Sequence, residues 1–149
     1  MITNYKQFNE SLRDKLVGPT EDEVWDNLKD LTPNRLLVRS SEIGFIRGVE
    51  IALEKDADIH FWDDGALRWA SQEGYVEIVK LLLDNGADIH AVDDYSLRMA
   101  SRHGHTDIVK VLLEYGADLH INGDEPLRKA ELNDHIETAE LLKKYMEKK

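Results

Sequence analysis

The chain has 149 residues and a formal net charge of −11, with 42% hydrophobic and 33% charged residues. This length allows one domain or one short repeat array, and the composition excludes a wholly disordered chain. No run of about 18 apolar residues occurs and the start of the chain has no apolar signal core, so we expect a cytoplasmic protein without membrane spans. Cysteine is absent, which excludes disulfides and thiolate metal sites.

Residues 1–31 lie outside any repeat and are predicted to form helices. Thr20 and Glu23 match the capping-box pattern that precedes a helix. An earlier amphipathic helix is predicted from four apolar residues on one helical face: Tyr5, Phe8, Leu12 and Leu16. We predict that this segment caps the first repeat. The alternative is a docking peptide for some assembly.

Residues 32–149 repeat themselves every 30 residues. Thr32 followed by Pro33 is typical of a helix start. The units span about 35–64, 65–94, 95–124 and 125–149, and their frame is fixed by one leucine in each: Leu37, Leu67, Leu97 and Leu127. Repeats of this length indicate an array of stacked units, so the internal repetition is the main evidence for the predicted fold.

The sequence pattern of each unit predicts two helices and a projecting turn, as residues 65–94 illustrate. The first helix ends at Gly74 and the second at Gly86, because glycine adopts the left-handed backbone cheaply. The second helix carries an apolar stripe of period 3.6: Ile78, Val79, Leu82 and Leu83. One unit cannot bury both its faces, so the units must stack on one another.

These units resemble the ankyrin repeat through the motif G-x-x-x-I-V-K-x-L-L-x-x-G-A-D-[IL]-H at residues 74–90 and 104–120. The resemblance implies an all-α solenoid of about four helix-turn-helix units, with an N-terminal helical cap. The period is 30 where the family has about 33, and the shortening falls between Asp93 and Leu97. Short arrays of this kind resemble those of large DNA viruses, including phages, and a viral origin is our hypothesis.

Histidine and arginine recur at fixed places, and both are interpreted as structural. Stacked helical units lie about 8–10 Å apart, whereas two nitrogens on one zinc lie about 3–3.5 Å apart, so no metal site is predicted. Each arginine is predicted to pair with the aspartate four residues before it, and an anion-binding track is the alternative. The sets are His60, His90 and His120; Arg68, Arg98 and Arg128; and Asp64, Asp94 and Asp124.

No catalytic residue or cofactor is predicted. The repeated serines Ser41, Ser71 and Ser101 take the place of a packed alanine, and no acid and base pair accompanies them. The chain has no nucleotide-binding glycine loop. We therefore expect a protein that is not an enzyme.

Positions that differ between copies while facing outward are free to bind a partner. In ankyrin proteins the turns and first helices form a concave binding face, so the resemblance implies a protein-protein interaction scaffold. The predicted partner-binding residues are Trp62, Val92, Tyr95, Gln72, Glu73, Arg102, His103, Asp94 and Asn122. For Trp62 the alternative is packing over the neighbouring unit.

The acidic charge predicts a protein partner with a basic or mixed epitope, and neither nucleic acid nor membrane, for what we expect to be a monomer. The rival hypothesis is an acidic ligand trap or nucleic-acid mimic that blocks a basic site on a host enzyme. Its carboxylates would be those of Asp63, Asp64, Asp93 and Asp94.

Overall fold

The computed structural model describes residues 19–148, which form nine α-helices and no strand. The chain divides between Asp30 and Leu31 into two compact units. The helices are α1 (Glu21–Leu28), α2 (Pro33–Ile43), α3 (Ile46–Glu54), α4 (Phe61–Glu73), α5 (Val76–Asp84), α6 (Ala91–His103), α7 (Thr106–Glu114), α8 (Ile121–Leu132) and α9 (Ile136–Glu147). The predicted all-α class is confirmed.

Helix α1, in the first unit, begins with the predicted capping box. The Thr20 backbone N–H donates to the Glu23 carboxylate at 2.7 Å, and the Thr20 hydroxyl oxygen accepts the Glu23 N–H at 3.3 Å. The predicted helix around Phe8 lies outside the described residues. A cap over the first repeat stays a prediction.

The second unit contains four helix pairs in the predicted frame, from α2 with α3 to α8 with α9. Helix α2 begins at Pro33, as predicted. Gly74 ends α4 in the left-handed conformation with a φ of 96°. A Cβ atom at Gly74 would lie 2.8 Å from the His105 ring of the next unit, so glycine is required there for the close approach as well as for the turn.

Stacking, and not the single helix pair, buries the repeated leucines. Leu37, Leu67 and Leu97 are at most 1% exposed, whereas Leu127 occupies the same place in α8 and is only half-buried. Among the described residues no helix pair packs beyond α8 and α9. The neighbour therefore supplies the burial that one unit cannot provide for itself.

The first helices of successive pairs (α2, α4, α6 and α8) contact one another much more extensively than the second helices do. Small residues allow this approach, since Ser71, Ala100 and Ser101 are fully buried at the contacts. The side-chain oxygens of both serines have no hydrogen-bond partner among residues 19–148. The helix array consequently curves, with the first helices on its inner, concave side.

The first turn of α4, α6 and α8 contains three consecutive left-handed residues, and the right-handed helix begins after them. These are Trp62 to Asp64, Val92 to Asp94 and Asn122 to Asp124, with φ between 49° and 65°. The left-handed conformation costs an L-residue about 1–2 kcal/mol, and a β-branched residue such as Val92 rarely adopts it. Side-chain contacts that hold these turns are therefore essential to the fold.

Candidate functional site on the concave face

The concave face comprises the outward sides of the first helices together with the fingertips, which we define as residues 61–64, 91–94 and 121–124. It contains most of the partner-binding residues that were predicted by comparing the copies of the repeat. Because fingertips 61–64 and 91–94 are fixed to their own helix and to the next unit, and fingertip 121–124 to its own helix, the side chains on this face are held in a regular array.

The last aspartate of a fingertip joins two units. Asp64 is 4% exposed, and its carboxylate accepts the N–H of Asp88 in the next unit at 2.7 Å. Asp94 does the same for Asp118 at 2.8 Å. In the first repeat the side-chain oxygen of Asn34 takes this role, accepting the Asp58 N–H at 2.7 Å. In each of the three places a side-chain oxygen thus gives a backbone donor 24 residues further along the chain a hydrogen-bond partner.

The three histidines of the ladder each contact the aspartate four residues later in the sequence. The Nδ1 atoms of His60 and His90 lie 3.1–3.2 Å from the carboxylates of Asp64 and Asp94. His120 makes the equivalent contact at 2.6 Å. Within the part of the chain that the structure describes, no group of three or more His, Asp or Glu residues could hold a metal ion.

The predicted pairing of arginine with aspartate is wrong. The Arg68 guanidinium donates to the carbonyls of Trp62 and Asp63 at 2.6 and 2.9 Å, because left-handed residues leave these carbonyls without helical partners. Asp64 meanwhile turns inward to the next unit. Arg128 contacts its own fingertip in the same way. The alternative of an anion track loses support, since these guanidinium groups are already occupied.

Arg98 also binds Glu125 of the next unit, with 2.9 Å between Nε and Oε2. Burial alone would raise the pKa of Glu125, but hydrogen bonds from Asn122 and Arg98 and the charges of Arg98 and Lys129 lower it below its ordinary value. The carboxylate therefore stays ionised and links the last two units.

The predicted binding residues fall into three groups. Trp62 and Val92 are 59% and 46% exposed, and the Trp62 ring stacks on Phe61 of its own unit with 5.1 Å between centroids. Tyr95 and Gln72 are half-buried and bonded to each other at 2.9 Å. The remaining surface residues are exposed: Glu73, Arg102, His103 and Asn122.

Asp94 is the member of the predicted set that does not reach the surface. The residue is only 3% exposed, and its carboxylate binds His90 and the Asp118 N–H. The sequence places it beside Asp93, which is exposed, but the left-handed turn sends the two side chains in different directions. Asp94 belongs to the scaffold that supports the face.

Sequence reasoning missed Trp69, which is 36% exposed on α4. It lies three and four residues before Gln72 and Glu73, and so on the same helical face. The signal was available, because the equivalent positions in the other units are unlike one another: Arg39, Met99 and Lys129. Trp69 and Trp62 together make α4 the most aromatic part of the concave face.

Charge is unevenly distributed over the concave face. Asp63 and Asp93 are exposed at the fingertips, and neither carboxylate has an ion-pair partner among residues 19–148. At the opposite end of α6, Arg102 and His103 are exposed. Burial, followed by the positive charges of His105 and Arg102, lowers the pKa of His103. The face therefore combines apolar anchors with groups of opposite charge at its two edges.

Comparison with known protein families agrees with this architecture. A family model for ankyrin repeats in many copies matches residues 67–113, and a model for three ankyrin repeats matches residues 92–149. No curated protein sequence matches the chain. No helix in the described part of the chain is both long and apolar enough to span a membrane. The two overlapping matches, which together span residues 67–149, and the stacked helix pairs show that the chain contains ankyrin repeats.

Proposed function

We propose that this chain is a scaffold that binds one specific protein partner through its concave face. Ankyrin repeats generally mediate protein-protein interaction, and proteins built from them are typically not enzymes. The proposal assigns partner contacts to Trp62, Val92 and Tyr95, with Trp69 added from the structure. The scaffold supplies rigidity, and the residues that differ between units supply specificity.

The exposure of Trp62 and Val92 in left-handed backbone supports this proposal most strongly. At 59% and 46% exposure, neither side chain adds much to packing, and both occupy a conformation that costs energy. The last fingertip has Asn122 and Gly123, which suit this backbone well. Strained conformations that persist without a packing benefit cluster at sites of recognition, and tryptophan is enriched among interface residues that dominate affinity.

The partner that fits this face has a basic or mixed epitope. Asp63, Glu73 and Asp93 are exposed around the apolar groups, so cationic side chains of a partner would find complementary charge. We further propose that the chain acts as a monomer in the cytoplasm. If the short repeats reflect a viral origin, the partner is a host protein.

Replacing both fingertip anchors with asparagine tests the proposal without unfolding the array. Asparagine tolerates the left-handed backbone, so Trp62→Asn with Val92→Asn should remove the anchors and keep or raise stability. In pull-downs from the native host, the partner retained by the wild-type protein should be lost from this double variant. Ile136→Ala is the matched control, because it removes an exposed apolar group at the start of a second helix. Equal capture by the double variant and the wild type would refute the role of these anchors.

The rival function, an acidic mimic of nucleic acid, loses two of its four carboxylates. Asp64 and Asp94 are 4% and 3% exposed and are engaged within the scaffold. A salt titration of the captured complex separates the two functions. Affinity based on Trp62 and Val92 should change little between low and high ionic strength, whereas mimicry by exposed carboxylates should weaken steeply.

A further inference from the structure

We propose that Arg102 and His103, at the edge of the concave face opposite the fingertips, bind a carboxylate side chain of the partner segment. This inference rests on the proposed function, because it concerns the same face. It identifies one feature of the epitope and the direction in which the segment crosses the third repeat.

The Arg102 guanidinium is free to make this contact. It is exposed and has no ion pair or hydrogen bond among residues 19–148, in contrast to Arg68 and Arg98 on the same face. The Arg102 side chain is also not required for the hydrogen bonds at the end of α6. The Arg102 carbonyl accepts the Nε2–H of His135 at 2.9 Å, and the Ala100 carbonyl accepts the N–H of His105 at 2.9 Å.

The surroundings of His103 favour an anion. Its ring stacks with that of His105, with 6.0 Å between centroids, and it lies within electrostatic range of Arg102, His135 and one carboxylate, that of Glu73. Both neighbouring histidines use Nε2 to donate to a carbonyl, at 2.8 Å for His105 and 2.9 Å for His135. The Arg102 guanidinium and three imidazoles thus cluster beside a single carboxylate at this edge, in a protein whose net charge is −11.

The length of α6 sets the spacing between the two charges that the segment would carry. Asp93 lies in the left-handed fingertip, and the right-handed helix from Tyr95 to Arg102 rises roughly 10 Å along its axis at 1.5 Å per residue. An extended segment covers the helical part in about three residues and needs about one more to reach Asp93. The inferred epitope therefore has a lysine or arginine over Asp93 and an aspartate or glutamate about four residues away over Arg102. A doubly charged phosphate fits less well, because Glu73 faces the same site.

A peptide library tests the inference on the intact protein. Twelve-residue random peptides are selected on the wild-type chain, and those that lose binding to the Trp62→Asn, Val92→Asn double variant are resynthesised with amidated ends, so that side chains supply any carboxylate. We expect these peptides to contain an acidic residue and to bind Arg102→Gln about tenfold more weakly. Replacing the acidic residue with its amide should cause the same loss, and no further loss in the Arg102 variant.

Lys110→Gln is the control, because Lys110 is exposed on the second helix α7. Anchor-dependent peptides that bind Arg102→Gln as tightly as they bind the wild type would overturn this inference and leave the proposed function intact. Failure to obtain any peptide that depends on Trp62 and Val92 would overturn both.

A pH series on the same amidated peptides provides a second readout. A carboxylate beside His103 stabilises the protonated ring, so binding takes up a proton and affinity should rise about three- to tenfold from pH 7.5 to 5.5. His103→Gln should abolish that rise. An unchanged pH profile in the His103 variant would contradict the contact, since the other histidines are still present.

Discussion

The fingertips that end the second and third repeats show how one sequence pattern acquires different physical properties from its surroundings. Asp94 and Asp124 occupy equivalent left-handed positions, and each contacts the histidine four residues before it. The Asp94 side chain is 4% exposed and binds a backbone N–H of the next repeat, whereas the Asp124 side chain is 47% exposed and binds only His120.

The repeated leucines Leu97 and Leu127 differ in burial in the same way. Leu97 is fully buried between neighbours, and Leu127 is half-buried in the last pair. Local structure is equal in the two repeats, so the difference in burial comes from the adjacent helix pair. The comparison teaches that stability in this array resides largely at the junctions between units.

The largest expected effect comes from truncating the frame leucines. Leu97→Ala should lower the free energy of unfolding by about 3 kcal/mol, because it leaves a cavity in a closed junction. Leu127→Ala should cost about half as much, since its site is already open on one side. Urea denaturation of both variants measures the difference, and equal losses would show that burial of this leucine is set within a single repeat.

Removing the junction carboxylate should have the next largest effect. Asp94→Ala leaves the Asp118 N–H without its partner and should cost about 2–3 kcal/mol. Asp94→Asn should cost less than about 1 kcal/mol, because Asn34 performs this role as a neutral amide in the first repeat. Asp124→Ala is the matched control, and we expect it to cost no more than Asp94→Asn. Thermal unfolding should rank the three variants, and a cost for Asp124→Ala as large as that for Asp94→Ala would contradict the junction role.

Exchanging fingertip residues between the repeats should change stability in opposite directions. Val92→Asn should stabilise the protein by about 0.5–1 kcal/mol, because it relieves a β-branched residue of the left-handed conformation. Asn122→Val should destabilise it by a similar amount. Chemical denaturation would refute the argument from backbone strain if both variants moved in the same direction.

The smallest effect concerns the dependence of stability on pH. The pKa of His103 is lowered in the folded chain, so the unfolded chain binds more protons below about pH 6.5 and stability falls as the solution is acidified. His103→Gln should flatten this fall by less than about 0.5 kcal/mol, because solvent screens an exposed ring. Unfolding midpoints between pH 7.5 and 5.5 measure the slope, and a steeper fall in the variant would reverse the sign that we assign.

Much of the fold could be predicted because the chain contains its own copies. The glycine that ends the first helix and the apolar stripe of the second recur every 30 residues, and both lie where the sequence indicated. The surface anchors Trp62 and Val92 were predicted from the same alignment of copies, and their exposure agrees with a surface position. Their role in binding stays a prediction.

The features that could not be predicted depend on the direction in which a side chain points and not on its position in the sequence. Spacing placed Asp64 four residues before Arg68 and favoured an ion pair, but the left-handed turn points the carboxylate at the next repeat and the guanidinium at the fingertip carbonyls. The same turn separates Asp93, on the surface, from Asp94, inside. No periodicity of apolar residues reports such a turn, because polar contacts accompany it within the fingertip, such as those from Arg68 and Arg128 to the fingertip carbonyls.

The sequence by itself determined the helix pairs, their period and the positions free to vary, since these follow from local propensity and repeated hydrophobic spacing. Only the tertiary structure decided which charged groups are used in the scaffold and which are left for a partner. Arg68 and Asp94 are bound within the array, while Arg102 and Asp93 are exposed on its concave face. The physical reason is that stacking determines which donors and acceptors lie close enough to form hydrogen bonds with a given polar side chain.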